Sequence, residues 1–210
     1  MAAALTVKKF EQPTSFAFTP ENLAEAEKHI TKYPAGREQS AVMPLLMLAQ
    51  RQHDNWLPVA AIEVVAKMVN MPYIRAYEVA SFYTMYNLAP VGRYHIQCCT
   101  TTPCWLRGSD EVIKACKDTL GIEPGQTSED GRFTLTEVEC LGACVNAPML
   151  QVTSSIDDDY FEDLNYDTTR EILQKLKHGE KPRPGPQSGR ISSEPQGGKT
   201  TLKEPANARG

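Results

Sequence analysis

Apolar residues in the first part of the chain recur at steps of three and four, which is typical of amphipathic helices. Thr19 followed by Pro20 is a helix start, because threonine caps the first N–H groups and proline suits the first helical position. The pattern predicts four helices, at about 19–32, 40–53, 58–71 and 73–86. They form a predicted helical bundle over residues 19–90, preceded by an extended arm over residues 1–18.

From residue 91 the pattern changes to an α/β domain, predicted over residues 91–178. Apolar and polar residues alternate in the manner of strands at 93–98, 133–138 and 149–152, and helical spacing returns at 109–120 and 167–178. The acids at 157–159 are predicted to begin a solvated hairpin turn. Residues 179–210 are rich in glycine and proline and are predicted to form an extended tail that is disordered or lies across a partner.

The predicted fourth helix carries a broad aromatic and apolar stripe, made of Tyr77, Phe82, Tyr83, Met85 and Tyr86. Core packing is the interpretation favoured here, and a docking face for another subunit is the alternative. A helix-turn-helix DNA reader is a third, weaker interpretation, because this helix carries a single arginine and no lysine.

Composition excludes several classes of function. The net charge is −4, which argues against nucleic acid as the main partner, because phosphate binding needs a basic face. The sequence contains no apolar run of the length that crosses a membrane, so we expect membrane association only through partners. Six cysteines without a secretory signal favour a reducing compartment. The start of the chain lacks the repeated arginines of a mitochondrial presequence, which favours a bacterial protein or an already processed organellar one.

Four cysteines form two pairs: Cys99 and Cys104 are separated by four residues, and Cys140 and Cys144 by three. Thiolates are soft ligands, so four of them suit an iron–sulfur cluster or zinc. A two-iron cluster needs two thiolates on each iron, and one loop per iron is the simplest way to supply them. Gly142 allows backbone N–H groups to approach an anionic centre closely.

Other interpretations of these cysteines stay open from the spacing alone. They could be zinc ligands, two disulfides in a secreted protein, or redox thiols, although the chain has no Cys-x2-Cys motif. Cys98 should point to the opposite face of its strand from Cys99, so we expect a buried spare thiol. Cys116 shares an apolar helix face and is predicted to be a core residue, and His95 a hydrogen-bonded strand histidine.

The cysteine loops resemble one family specifically. Cys-Thr-Thr-Thr-Pro-Cys-Trp-Leu-Arg-Gly at 99–108 and Glu-Cys-Leu-Gly-Ala-Cys-Val-Asn-Ala-Pro at 139–148 are similar to the small [2Fe–2S] subunit of NADH:quinone oxidoreductase, respiratory complex I. Further similarity lies at 48–52, 56–59, 77–86 and 184–190, so the resemblance covers roughly residues 18–200. It implies a thioredoxin-like ferredoxin domain in which Cys99, Cys104, Cys140 and Cys144 bind one [2Fe–2S] cluster.

The resemblance also implies partners and a location. A flavin subunit would carry FMN and bind NADH, and the cluster would exchange single electrons with that FMN; the large iron–sulfur subunit would be a second partner. This chain has no Gly-x-Gly-x-x-Gly motif after a strand, so we expect no NADH site in it. The expected location is the cytoplasmic side of a bacterial inner membrane, or the matrix side of the mitochondrial one. NAD-linked hydrogenases and formate dehydrogenases use similar modules and remain alternatives, as does a zinc-bound interaction module.

Overall fold

The structure is a computed structural model that describes residues 10–195 and 197–198. The predicted arm before residue 10 and the end of the predicted tail, residues 199–210, lie outside the described residues. Contacts divide the chain into two compact units. Of the described residues, the first unit contains those within 10–94, 129–133 and 154–156, and the second those within 95–128, 134–153 and 157–198. The domain boundaries expected from the sequence, at residues 18, 90 and 178, remain predictions.

The first unit contains four α-helices, α1 (Pro20–Ile30), α2 (Val42–Gln52), α3 (Val59–Met68) and α4 (Tyr73–Phe82), with a 3-10 turn at Glu38–Ala41. The Thr19 side chain accepts a hydrogen bond from the N–H of Asn22, so the predicted start of α1 is confirmed. Pro44 lies in the first turn of α2, where it removes no helical hydrogen bond. Apolar side chains of all four helices form one core, which includes Leu45, Leu46, Ile62 and Val65.

The prediction that the aromatic stripe packs in the core is wrong for four of its five residues. Tyr86 is buried and its hydroxyl donates to the carbonyl of Met43 at 3.0 Å. The other four residues are exposed, Phe82 by 77%, and α4 ends at Phe82 instead of continuing to residue 86. Core packing is therefore wrong for these four residues, although it holds for Tyr86.

The second unit is built on a six-stranded mixed sheet. Its strands are β1 (Tyr94–Cys99), β2 (Gln126–Thr127), β3 (Phe133–Val138), β4 (Leu150–Thr153), β5 (Asp158–Glu162) and β6 (Gly185–Pro186), in the order β2-β3-β1-β4-β5-β6. The β1–β4 and β4–β5 pairs are antiparallel, and β6 runs parallel to β5. The helices are α5 (Thr102–Leu106), α6 (Ser109–Leu120) and α7 (Tyr166–Lys177). The predicted α/β class is confirmed.

Three features of this unit differ from the sequence-based expectations. The predicted turn at 157–159 is wrong for Asp158 and Asp159, which begin β5, while Asp157 directly precedes the strand; pairing with β4 and burial of Phe161 outweigh the poor strand propensity of these two aspartates. The helix α7 begins after Asn165, whose side chain accepts from the N–H of Thr168, and not at Asp167. The first part of the predicted tail joins the sheet, because Pro186 pairs with Glu162 at the sheet edge.

The helices α6 and α7 pack against each other through buried faces. Cys116 on α6 also contacts Cys98 on β1, so α6 covers the face of the sheet to which Cys98 points. Throughout the described part of the chain, every helix is too short or too polar to cross a lipid bilayer.

Candidate iron–sulfur site

Two loops that carry the paired cysteines leave the sheet side by side. Cys99 is the last residue of β1, and α5 follows at once and carries Cys104. Cys140 comes two residues after β3, and Cys144 begins a 3-10 turn at Cys144–Asn146. The N–H of Thr100 donates to the carbonyl of Val138 at 3.4 Å, which joins the two loops at their start. Neighbouring strands therefore bring both cysteine pairs to one end of the sheet.

The four thiols form two interacting pairs. The sulfur atoms of Cys140 and Cys144 lie 3.4 Å apart, and the thiols of Cys99 and Cys104 interact with each other. Cys99 also acts electrostatically on Cys140 and Cys144, so the two pairs lie near each other. Cys99 and Cys104 are buried with Ala147 and Met149, whereas Cys140 and Cys144 are exposed. The site thus has a buried side and an open side.

Each pair contains one thiol with a lowered pKa and one with a raised pKa. Burial raises the pKa of Cys99, but hydrogen bonds from Thr101 and the N–H of Leu141 outweigh it and the pKa is lowered. Burial raises the pKa of Cys104 to about 12. The N–H of Gly142 lowers the pKa of Cys140, while the hydrogen bond with Cys140 raises that of Cys144. Each loop therefore favours one thiolate, and a bound metal would deprotonate the second thiol of each pair as well.

Three contacts hold the sulfur-bearing backbone in place. The N–H of Gly142 points at the sulfur of Cys140 at 3.4 Å, and the φ angle of +88° that permits this favours glycine. The hydroxyl of Thr101 lies 3.3 Å from the sulfur of Cys99, and it also helps to lower the pKa of Cys140 on the other loop. The hydroxyl of Tyr160, on β5, donates to the carbonyl of Leu141 at 2.9 Å.

The donor set fits a binuclear iron–sulfur cluster. Two thiolates bound to one tetrahedral metal at about 2.3 Å lie roughly 3.8 Å apart, close to the 3.4 Å between Cys140 and Cys144. Two sulfurs from each loop, with N–H and hydroxyl donors beside them, are the groups that an anionic two-iron centre uses.

The remaining candidates from the sequence lie outside this site. The sulfurs of Cys98 and Cys116 are buried 3.7 Å from each other, so the prediction of two core thiols is confirmed. His95 is buried, with its Nε2 2.8 Å from the hydroxyl of Thr136, as expected for a strand histidine. Sequence reasoning missed Thr101 and Tyr160. Thr101 lies inside the first cysteine motif, which was a usable signal, whereas Tyr160 is 16 residues beyond Cys144 and carried none.

Together, the fold and the site define a thioredoxin-like [2Fe–2S] ferredoxin. The family model of that description matches residues 26–177, which is most of the chain. The cofactor of this class is one [2Fe–2S] cluster.

Curated relatives give a narrower identification. An NADH-quinone oxidoreductase subunit of Rickettsia conorii is 59% identical over 165 residues, which cover 79% of this chain and 96% of the relative. The mitochondrial NADH dehydrogenase [ubiquinone] flavoprotein 2 of Dictyostelium discoideum is 51% identical over 192 residues, covering 91% of this chain and 76% of the relative. The chain belongs to the family of these NADH-quinone oxidoreductase subunits. This finding confirms the resemblance drawn from the cysteine motifs.

A solved structure shares the fold. A chain of an NAD⁺-reducing [NiFe]-hydrogenase matches with a TM-score of 0.53 at 20% identity, covering 64% of this chain and 23% of the hydrogenase chain. At this identity the likeness shows the fold alone.

Proposed function

We propose that this chain is the electron-carrying subunit of the NADH dehydrogenase module of complex I. Cys99, Cys104, Cys140 and Cys144 hold one [2Fe–2S] cluster, which accepts and returns single electrons. The observation that carries the proposal is the convergence of two cysteine pairs on neighbouring loops, with 3.4 Å between the sulfurs of the second pair. Membership of the same family as the Rickettsia conorii protein supports the assignment of the complex.

The exchange partner that we propose is the FMN of a flavin subunit, and the open side of the site is where that subunit would dock. Leu106 and Val145 each follow a candidate ligand closely and are 70% and 69% exposed, and Trp105, which precedes Leu106 in the chain, is exposed too. Large apolar side chains exposed together mark surfaces that bind other proteins. Aromatic residues such as Trp105 often anchor such interfaces. The exposed Cys140–Cys144 pair lies on the same two loops.

The buried side of the site, with Cys99 and Cys104, influences how readily the site accepts an electron. Cys99 and Cys104 are enclosed with Met149 and Ala147, which keeps water from that half of the site. Removal of water disfavours added negative charge, while donors such as Thr101 and the N–H of Gly142 favour it. The balance between this burial and these donors sets how readily the site takes up an electron.

Further assignments follow from the proposed role. NADH binds to the flavin subunit and not to this chain, in keeping with the lack of a dinucleotide-binding motif in the sequence. The large iron–sulfur subunit is the second partner, and the assembled complex couples NADH oxidation to proton translocation. The complex holds this chain at the cytoplasmic side of a bacterial inner membrane, or at the matrix side of the mitochondrial one.

The proposal is tested by NADH-dependent reduction. The isolated full chain is mixed anaerobically with NADH, with and without the flavin subunit that co-purifies with it, and electron paramagnetic resonance follows reduction of the cluster. We expect a signal only when the flavin subunit is present. Reduction of the isolated chain by NADH alone would contradict the proposal. Co-purification with hydrogenase or formate dehydrogenase subunits instead would reassign the complex.

A further inference from the structure

The part of the tail beyond β6 is fastened to the sheet by a largely enclosed ion pair. Arg190 donates from its Nε to Asp163 at 2.7 Å and from an Nη to the other carboxylate oxygen. Both side chains are 10% exposed. Ser188 donates a third hydrogen bond to Asp163 at 2.7 Å. Burial raises the pKa of Asp163, but the bonds from Arg190 and Ser188 outweigh it and the pKa is lowered, so the carboxylate is charged.

Arg190 and Asp163 also hydrogen-bond to the turn that carries Cys144. Arg190 donates from Nη2 to the carbonyl of Val145 at 3.0 Å, and Val145 directly follows Cys144. The N–H of Asp163 donates to the carbonyl of Asn146 at 2.7 Å. The Asn146 side chain in turn donates to the carbonyl of Ser192 at 3.0 Å and to Glu162 at 2.5 Å. Two consecutive backbone carbonyls of the 3-10 turn therefore accept from the Arg190–Asp163 pair.

We infer that Arg190 is a positioning residue for the cluster, which acts through Asp163 and the Val145 carbonyl to fix the turn carrying Cys144. The inference rests on the proposed role of Cys144 as a ligand. An arginine suits this task because its planar fork can serve a carboxylate and a carbonyl at once, whereas a lysine presents one point charge.

Attachment of the tail does not itself require Arg190. The strand β6 pairs with β5, and the N–H of Gln187 donates to the carbonyl of Glu162 at 2.9 Å. Lys181 makes a further ion pair with Asp157 at 2.6 Å, and this pair is exposed and distant in sequence from both cysteine loops. A role limited to holding the tail would therefore be shared with these contacts. The bond from Arg190 to the Val145 carbonyl is what ties the tail to a candidate ligand.

The test compares cluster-loaded full chains carrying Arg190→Gln, Arg190→Lys or Asp163→Asn with the wild type. Asp163 has a φ angle of +55°, which asparagine adopts readily, so Asp163→Asn removes charge without backbone strain. Lys181→Gln is the matched control, because it breaks an ion pair of the same tail that does not touch the cysteine turn. The readouts are the rate of iron loss to a chelator and the g values of the reduced chain by electron paramagnetic resonance.

We expect Arg190→Gln and Asp163→Asn to lose iron roughly tenfold faster or more, with altered g values, as is usual when a residue supporting a metal ligand is removed. Arg190→Lys should fall between these and the wild type, and Lys181→Gln should match the wild type. Unchanged iron loss and g values in both Arg190→Gln and Asp163→Asn would overturn the inference. If Arg190→Gln does not fold, Asp163→Asn decides alone. A wild-type chain without a [2Fe–2S] spectrum would instead refute the proposed ligands.

Discussion

The sulfur atoms of Cys98 and Cys116 lie 3.7 Å apart, fully buried between β1 and α6, while the neighbouring Cys99 faces the cysteine site. Adjacent residues in a strand point to opposite faces, so Cys98 and Cys99 belong to separate environments. The chain thus has two core thiols in addition to the four in the site.

This separation predicts which cysteines the cluster needs. Cys116→Ala should retain the full iron content, at a stability cost of about 1–2 kcal/mol for a small buried truncation. Cys104→Ala, also at a buried cysteine, should lose or cripple the cluster. Iron and sulfide analysis with the visible spectrum distinguishes the two variants, and circular dichroism checks that both are folded. Loss of the cluster from a folded Cys116→Ala chain would show that the ligand assignment is wrong.

Thr101 is expected to tune the reduction potential, because its hydroxyl lies 3.3 Å from the sulfur of Cys99 and can donate a hydrogen bond to it. Hydrogen bonds to sulfur stabilise the more negative reduced state, so Thr101→Val should lower the potential. A bond worth about 0.5–1.5 kcal/mol corresponds to a decrease of about 20–60 mV for one electron. A potentiometric titration of the isolated chain measures this shift.

The neighbouring Thr102→Val is the control for that titration, since Thr102 is an exposed residue at the start of α5. Equal potentials for the two variants would show that the Thr101 hydroxyl does not act on the sulfurs.

Tyr160 is expected to hold the second cysteine loop, through its 2.9 Å hydrogen bond to the carbonyl of Leu141. Tyr160→Phe keeps the ring but leaves that carbonyl without this donor, at a cost of about 1 kcal/mol. Iron loss to a chelator should therefore become about fivefold faster, by the usual conversion of free energy into a ratio. Tyr166→Phe removes a comparable hydroxyl contact, to Asp118 on the surface, and should leave the rate unchanged. A common rate for both variants would contradict this role of Tyr160.

His95 should make the fold sensitive to acid. Burial lowers the pKa of His95 to about 4, whereas an unfolded histidine titrates near 6.5. The unfolded chain therefore binds the extra proton first, and the free energy of unfolding falls as the pH drops from about 6.5 towards 4, by up to about 3 kcal/mol. His95→Gln should flatten this pH dependence of the melting temperature. The exposed His178→Gln should not, and a slope unchanged by His95→Gln would refute the argument.

Local sequence signals predicted the elements that depend on neighbouring residues. Thr19 and Pro20 marked the start of α1 correctly, and alternation placed β1 and β3. Contacts between distant residues were not predictable in this way. The start of β5 was missed because its two aspartates disfavour a strand, and pairing with β4 and burial of Phe161 explain it.

In the cysteine site, too, local sequence signals were informative and contacts between distant residues were not predictable. The spacing of the four cysteines and their flanking motifs pointed to the pairs that the structure brings together. The burial of Cys99 and Cys104 depends on packing against Met149 and could not be read from spacing. The link from Arg190 to Val145 spans 45 residues and follows from the pairing of β6 at the sheet edge.

The most direct measurement is iron, zinc and acid-labile sulfide analysis of the anaerobically purified full chain, combined with electron paramagnetic resonance after reduction by dithionite. We expect two irons and two sulfides per chain, as the [2Fe–2S] class requires, and a signal from a single unpaired electron. One zinc per chain without sulfide, and no signal on reduction, would contradict it.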